Sequence, residues 1–181
     1  CEDTDSDAVC DNIDDCVGAY DDCGVCNGGN ADQDDCGICN GDGTSCLDNI
    51  ISLGAATDSS LEVLYSSSSD IGGFQFAVSG VDVLGASGGA AGDAGFEISV
   101  GSEAILGFSF SGSVVPAGTG VLTNLNIETT DIEACLSGLV VSSSDGQSLS
   151  FNAGDCVTVP YGLISLGAAT DSSLEVLYSS S

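Results

Sequence analysis

The sequence predicts an all-β protein, an antiparallel β-sandwich preceded by a disulfide-rich, loop-dominated module. Three observations carry this. Past Asn49 the hydrophobic residues recur at period two, in short runs separated by glycine, serine, asparagine and proline, the pattern of half-buried strands joined by turns. Eight of the ten cysteines lie between Cys1 and Cys46, in a stretch too polar to bury a conventional core and dependent on cross-links or metal. The stretch ISLGAATDSSLEVLYSSS, Ile51 to Ser68, returns letter for letter from Ile164 to Ser181, an offset of 113 residues (164 minus 51). Internal repeats of this kind mark arrays built from one folded unit. Together these observations divide the chain into residues 1–48, 49–163 and 164–181.

Charge narrows the function classes. The 181 residues include no lysine, arginine or histidine against 28 acidic side chains, 14 before Asn49 and 14 after it. No side-chain salt bridge can form, so bound cations or a salty medium must offset the self-repulsion. Nucleic acid is excluded as a partner, because lysine and arginine dominate phosphate contacts, and a polybasic membrane signal is absent. No 18-residue apolar run is present, so direct membrane insertion is not expected. The lack of an initiator methionine and of a leader leads us to expect a mature fragment. An even, dense set of cysteines points to disulfides and to an extracellular or cell-surface location.

Catalysis is not expected either. Without histidine, lysine or arginine, general bases reduce to carboxylates. The candidate pairs Glu97 with Glu103 and Asp131 with Glu133 read most simply as solvent-facing strand ends. The serines at 66–69 and 142–144 have no base to activate them. O-glycans are compatible with an extracellular surface, and no Asn-x-Ser/Thr acceptor occurs.

The first module opens with DTDSDAVCDNIDDC. Counted from Asp3, carboxylates fall at loop positions 1, 3, 5, 9 and 12, namely Asp3, Asp5, Asp7, Asp11 and Asp14, with the Val9 carbonyl at position 7. This is the spacing by which a 12-residue loop wraps hard oxygen ligands around calcium. Ala8 stands where such loops usually carry glycine. Two copies of DDCG(V/I)CNG follow, Asp21 to Gly28 and Asp34 to Gly41. Asn30, Asp32, Asp34, Asp35, Asn40 and Asp42 are the candidate oxygen ligands for further calcium there. The pairs Cys23, Cys26 and Cys36, Cys39 also match a zinc pattern, but the four further cysteines and the surrounding hard ligands favour disulfides. Sequential pairing, Cys1–Cys10, Cys16–Cys23, Cys26–Cys36 and Cys39–Cys46, is the simplest of many connectivities. Cys135 and Cys156, alone in the second module, pair with each other.

DTDSDAVCDNIDDC resembles a thrombospondin type 3 repeat, and DCGVCNGGNADQDDCGICNGDGTSC resembles cysteine-rich relatives in large secreted microbial proteins. The resemblance, over residues 1–48, implies a calcium-filled, disulfide-stapled rod with little regular secondary structure. Dockerin loops share the DxDxD start, but the helix they require cannot form between Cys16 and Asp22.

In the second module the strand runs are Leu61, Val63, Tyr65; Phe74, Phe76, Val78; Phe96, Ile98, Val100; Leu106, Phe108, Phe110; Val121, Leu125, Ile127; and Leu149, Phe151. Turn residues bound them at Ser69–Gly73, Pro116–Gly120, Asp145-Gly146 and Asn152–Asp155. Ser59 to Glu62 formally matches a helix capping box, yet strand spacing follows it. All six phenylalanines are core candidates. The Gly/Ala/Ser tract from Gly85 to Gly95 reads as a loop or a close strand approach.

GFQF and PAGTGVL, within Ile71–Leu125, resemble cohesin-like domains. That resemblance implies a jelly-roll-like sandwich that mediates protein pairing or serves as a scaffold unit, short by one or two strands. Residues 164–181 then supply a donor strand to a neighbour or begin the next repeat. The sequence reading is a structural subunit of a calcium-stabilised extracellular fibre or stalk that self-associates into a polymer. The alternative is a cohesin-like module that binds a dockerin-like protein or a glycan.

Overall fold

A computed structural model describes residues 1–161, 163–169 and 174–179, the last two stretches as backbone only. Two compact units emerge, Cys1–Leu47 and Asp48–Ser181, where the sequence suggested a break after Asp48.

The first unit is turns and bends, with isolated bridges Tyr20↔Cys26 and Gln33↔Cys39 and one 3₁₀ turn, Thr44–Cys46. Its disulfides are Cys1–Cys10, Cys16–Cys26, Cys23–Cys39 and Cys36–Cys46. Sequential pairing is thus corrected at three of four bonds. Each bridge folds the second cysteine of a CxxC back beside the segment before it. Cys26 and Cys39 therefore tie backward, while Cys23 and Cys36 tie forward, and the two repeats interlock. All four CxxC sulfurs are used in disulfides, which removes the zinc alternative because zinc needs thiolates.

The second unit opens with the hairpin β1 (Ile50–Ala56) and β2 (Ser60–Ser67). Thr57 makes the turn: its Oγ1 accepts the Ser60 N–H at 2.9 Å and its N–H donates to the Ser60 carbonyl at 2.8 Å. Then come β3 (Gly73–Ser79), β4 (Val81–Ser87), a one-turn helix α1 (Gly89–Asp93), β5 (Glu97–Val100), β6 (Ile105–Phe108), β7 (Gly118–Thr129) and β8 (Glu133–Ser142). Short strands β9 (Ser148–Leu149), β10 (Asn152–Ala153) and β11 (Val157–Thr158) complete it. One sheet runs β10-β1-β2-β7-β4, the other β11-β8-β3-β6-β5 with β9 also on β8. Only β1 and β10 are parallel among these pairs.

Both sheets feed one core. Ile51, Leu61, Val63, Leu125 and Ile127 from the first sheet meet Phe74, Phe76, Ile105 and Val141 from the second. The fold is a jelly-roll-like β-sandwich. Phe74 stacks with Phe76 and Phe96 at centroid separations of 5.8 and 6.1 Å.

Two strands depart from the expected face. On β6, Ile105 and Gly107 point inward while Leu106 is exposed and Phe110, beyond the strand, is 85% exposed. Gly107 lies directly opposite Phe74, and the Phe74 ring fills the space a side chain at 107 would need. On β7 a bulge opposite Val63 and Leu64 adds a residue, so Leu122 rather than Val121 is buried. The Gly/Ala/Ser tract is neither simple loop nor strand. It ends β4 and forms α1, whose Ala91 is fully buried. Gly89 lies so close to the Val121 and Leu122 carbonyls that no side chain fits there.

Backbone pairing of β12 (Leu163–Ala169) with β13 (Leu174–Ser179) repeats that of β1 with β2. Ile164↔Tyr178, Leu166↔Val176 and Ala169↔Leu174, with a register shift between the last two, match Ile51↔Tyr65, Leu53↔Val63 and Ala56↔Leu61. The duplicate is a hairpin in its own right, not a single strand. Residues 170–173 and 180–181 of it lie outside the described residues.

The sandwich has two distinct ends. Ile50 lies beside Ser66, Ser67 beside Gly118, and Gly73 beside Phe108, so the chain enters β1 at the end that carries the 109–117 loop. At the opposite end lie Gly80, Asp131, Ile132 and Val159. There Thr130 and Asp131 donate to the Gly80 carbonyl and Val159 to that of Ile132. The chain leaves the sandwich at this second, distal end, and Cys135–Cys156 staples β8 to the segment leading into β11.

Candidate functional sites

The acidic loop divides its carboxylate oxygens between two tasks. Asp3 Oδ2 accepts the Ala8 N–H at 3.2 Å, Asp5 Oδ2 accepts that of Gly18 at 2.7 Å, and Asp14 Oδ1 accepts that of Cys16 at 2.8 Å. The other oxygens, Asp3 Oδ1, Asp5 Oδ1 and Asp14 Oδ2, are buried without a partner. Asp3, Asp5 and Asp7 each place an oxygen within 4.8 Å of the others. Buried unpaired anionic oxygens are costly, and hard oxygens gathered in this way suit calcium. Asp7 Oδ1 also accepts the Val9 N–H at 2.8 Å. Asp11 differs: both its oxygens take Thr4, the N–H at 2.8 Å and the hydroxyl at 2.7 Å, which holds its carboxyl below the usual range. Ala8 adopts φ 76°, the left-handed geometry that explains why glycine is usual there.

The two DDCG(V/I)CNG loops are built around an aspartate that sequence reasoning did not single out in the first copy. Asp21 accepts the N–H groups of Cys23, Val25 and Asn30 at 2.8–3.0 Å. Asp34 does the same for Cys36, Ile38 and Gly43 at 2.9–3.0 Å. These bonds, led by those from Val25 and Ile38, depress both carboxyl pKa values. The signal was the Asp-Asp-Cys triplet, present three times. Asp14 opens the first of these triplets and captures Cys16 in the same way, but its second oxygen is the unpaired one.

Of the remaining candidates, Asn30 is occupied with Asp22, and Asp42 with Thr44. Besides Asp3, Asp5 and Asp7, the ligand-type groups clustered among the described residues are Asp34 with Cys36 and Cys46, and Glu133 with Cys135 and Cys156. In both, the sulfurs are disulfide-bonded. Asp32 and Asp35 belong to none of these groups, and Asn40 adopts a left-handed φ of 55°. Glu97, Glu103, Asp131 and Glu133 are all exposed.

The outward face of the β11-β8-β3-β6-β5 sheet carries a row that includes Leu106, which the sequence reading had placed on the inward face of its strand. Val140, Gln75, Leu106 and Ser99 are aligned across β8, β3, β6 and β5. Val140 is 53% and Leu106 42% exposed, beside a shallow hollow of about 240 Å³.

No protein-family model matches the chain, and none of the curated proteins matches it. Solved structures similar to it include the following three. One is a non-cellulosomal cohesin from the hyperthermophilic archaeon Archaeoglobus fulgidus, with TM-score 0.45, 18% identity, and coverage of 59% of this chain and 86% of that one. Another is from the CaDoc0917–CaCohA2 complex, with TM-score 0.45, 14% identity, and coverage of 61% and 98%. The third is from a type I cohesin–dockerin complex of Clostridium thermocellum, with TM-score 0.44, 10% identity, and coverage of 60% and 88%. No helix among the described residues is long and apolar enough to cross a membrane.

Proposed function

We propose that the chain is a secreted, non-catalytic recognition module whose sandwich binds a protein partner through the outward face of β8, β3, β6 and β5. The observation that carries this reading is the exposed aliphatic row of Leu106 and Val140. Two large aliphatic side chains flank the uncharged Gln75 across neighbouring strands, and interface centres are typically depleted of charge. The GFQF and PAGTGVL resemblance supports a dockerin-like partner over a glycan. The test is binding of the intact chain to immobilised dockerin-like proteins and a glycan panel. Leu106→Asp and Val140→Asp are expected to weaken capture at least about tenfold while leaving the melting temperature unchanged. Capture by no dockerin-like protein, or equal capture by both variants, sinks the reading.

A second reading is favoured by the duplicated hairpin, namely that the chain is a repeat of an extracellular fibre or stalk. Its support is the shared register of β12–β13 and β1–β2 together with chain entry and exit at opposite ends of the sandwich. Electron microscopy of native material with calcium and after chelation tests it. Ordered filaments that loosen on chelation are expected, and isolated particles in both conditions refute it.

Under either reading calcium fills the Asp3–Asp14 loop. The unpaired oxygens of Asp3, Asp5 and Asp14 would hold it, with Asp7 and the Val9 carbonyl as further ligands. Bound there, it supplies the positive charge that the side chains of this chain lack.

A further inference from the structure

We propose that Asn40 is a site of spontaneous covalent modification, an autocatalytic deamidation from which the otherwise equivalent Asn27 is protected. Asn27 and Asn40 are the only asparagines in the sequence followed by glycine, and both stand in the same context, Cys-Asn-Gly, at the end of a DDCG(V/I)CNG loop. Glycine hinders attack of its own nitrogen on the preceding side chain least, because it lacks a Cβ and turns freely. The local sequence makes the two positions alike. The fold separates them.

Backbone geometry is matched. Asn27 and Asn40 adopt left-handed φ values of 54° and 55°, both are exposed, and their N–H groups donate to the carbonyls of Ala19 and Asp32. The attacking nitrogens are also restrained alike, since Gly28 donates to the Val25 carbonyl at 3.2 Å and Gly41 to that of Ile38 at 3.1 Å. One turn bond must open at either position before reaction.

The side-chain amides differ. Asn27 Oδ1 accepts the Ala19 N–H at 3.3 Å and Nδ2 donates to the Val17 carbonyl at 3.1 Å, and the group lies so close over Gly18 that a Cβ there would collide with it. With the two loops aligned on the bridges Tyr20↔Cys26 and Gln33↔Cys39, Ala31 stands where Gly18 does. The position that must be bare for the amide to seat therefore carries a methyl group. Asn40 bonds through its backbone N–H alone among the described residues, which leaves its amide free to meet the Gly41 nitrogen.

The step needs only water. The Gly41 nitrogen bonds to Asn40 Cγ, its proton passes through solvent to Nδ2, and the Cγ–Nδ2 bond breaks to release ammonia and leave a cyclic imide. Water then opens the ring at either carbonyl, giving an aspartyl or an isoaspartyl residue. Either product adds a carboxylate to a module without a cationic side chain, and the second also adds a methylene to the backbone beside Cys39.

The intact, disulfide-bonded chain and its Ala31→Gly variant are incubated at mildly alkaline pH. The amide-to-acid mass gain is then localised by tandem mass spectrometry after reduction and chymotryptic digestion. Asn40 is expected to convert at least about tenfold faster than Asn27, a difference of ~1.4 kcal/mol that two tethering hydrogen bonds supply. In the reduced, unfolded chain the two rates should converge, because the flanking sequence is shared. Ala31→Gly clears the seat, so Asn40 should slow toward the rate of Asn27 with every disulfide unchanged. Equal rates in the folded chain, a faster Asn27, or an Asn40 that stays intact while the unfolded chain converts overturns the proposal. An Ala31→Gly variant that converts as fast as wild type overturns it as well.

Discussion

Phe76→Ala is expected to destabilise the sandwich by ~3–5 kcal/mol, whereas Phe110→Ala leaves its stability within about 0.5 kcal/mol of wild type. Phe76 is fully buried, stacked against Phe74, which in turn lies over Gly107 on the neighbouring strand. Removing the ring takes away its burial and leaves a cavity that the paired strands on either side cannot close. Domains of this size are stable by only ~5–15 kcal/mol, so the loss is a large share. At ~4–8 °C per kcal/mol for a domain of about a hundred residues, the melting temperature should fall by at least ~12 °C. Denaturant titration of both variants checks this. A matching loss in Phe110→Ala would mean that its ring is packed, not exposed.

The contrast between these two phenylalanines shows what the sequence could reveal. Period two identified the β module, most of its strands and the Asp145-Gly146 turn, because alternation is imposed by the pleat itself. It chose the wrong face of ILGFSF, because Leu106, Phe108 and Phe110 are more apolar as a set than Ile105, Gly107 and Ser109. The true face depends on Phe74 occupying the space over Gly107, a contact between residues far apart in the chain. The β7 bulge was hidden for the same reason, since an extra residue shows only against a partner strand. In the acidic module, Cys1–Cys10 aside, disulfide partners followed from how each CxxC folds back on Tyr20 or Gln33. Cysteine spacing does not encode that. The gathering of Asp3, Asp5 and Asp7 was legible in the sequence, because their spacing is local. Even there, the assignment of both Asp11 oxygens to Thr4 required coordinates.

Asp5→Ala is expected to weaken calcium binding by at least about 100-fold, since the loss of even an outer-shell partner typically costs about 10–100-fold. Asp5 contributes a buried oxygen with no other partner and, through its second oxygen, anchors Gly18. Asp11→Asn should cost far less, because Thr4 already takes both Asp11 oxygens. Calorimetric titration of the intact chain checks the order, and equal losses would place Asp11 among the ligands. Ala8→Gly should tighten binding by about two- to fivefold: relief of ~1–2 kcal/mol of left-handed strain outweighs the ~0.4–1 kcal/mol of added chain entropy in the unfolded state. Acid supplies an independent probe of the neighbouring loops. The carboxyl pKa values of Asp21 and Asp34 are depressed in the folded state, so the stability they contribute is fully present above the ordinary value near ~3.9. It is lost as pH falls through their lower folded values. Amide protection at Val25 and Ile38 should therefore persist from neutral pH to about pH 4 and fade below it. Loss of that protection already near pH 6 would mean that the two aspartates do not hold these loops.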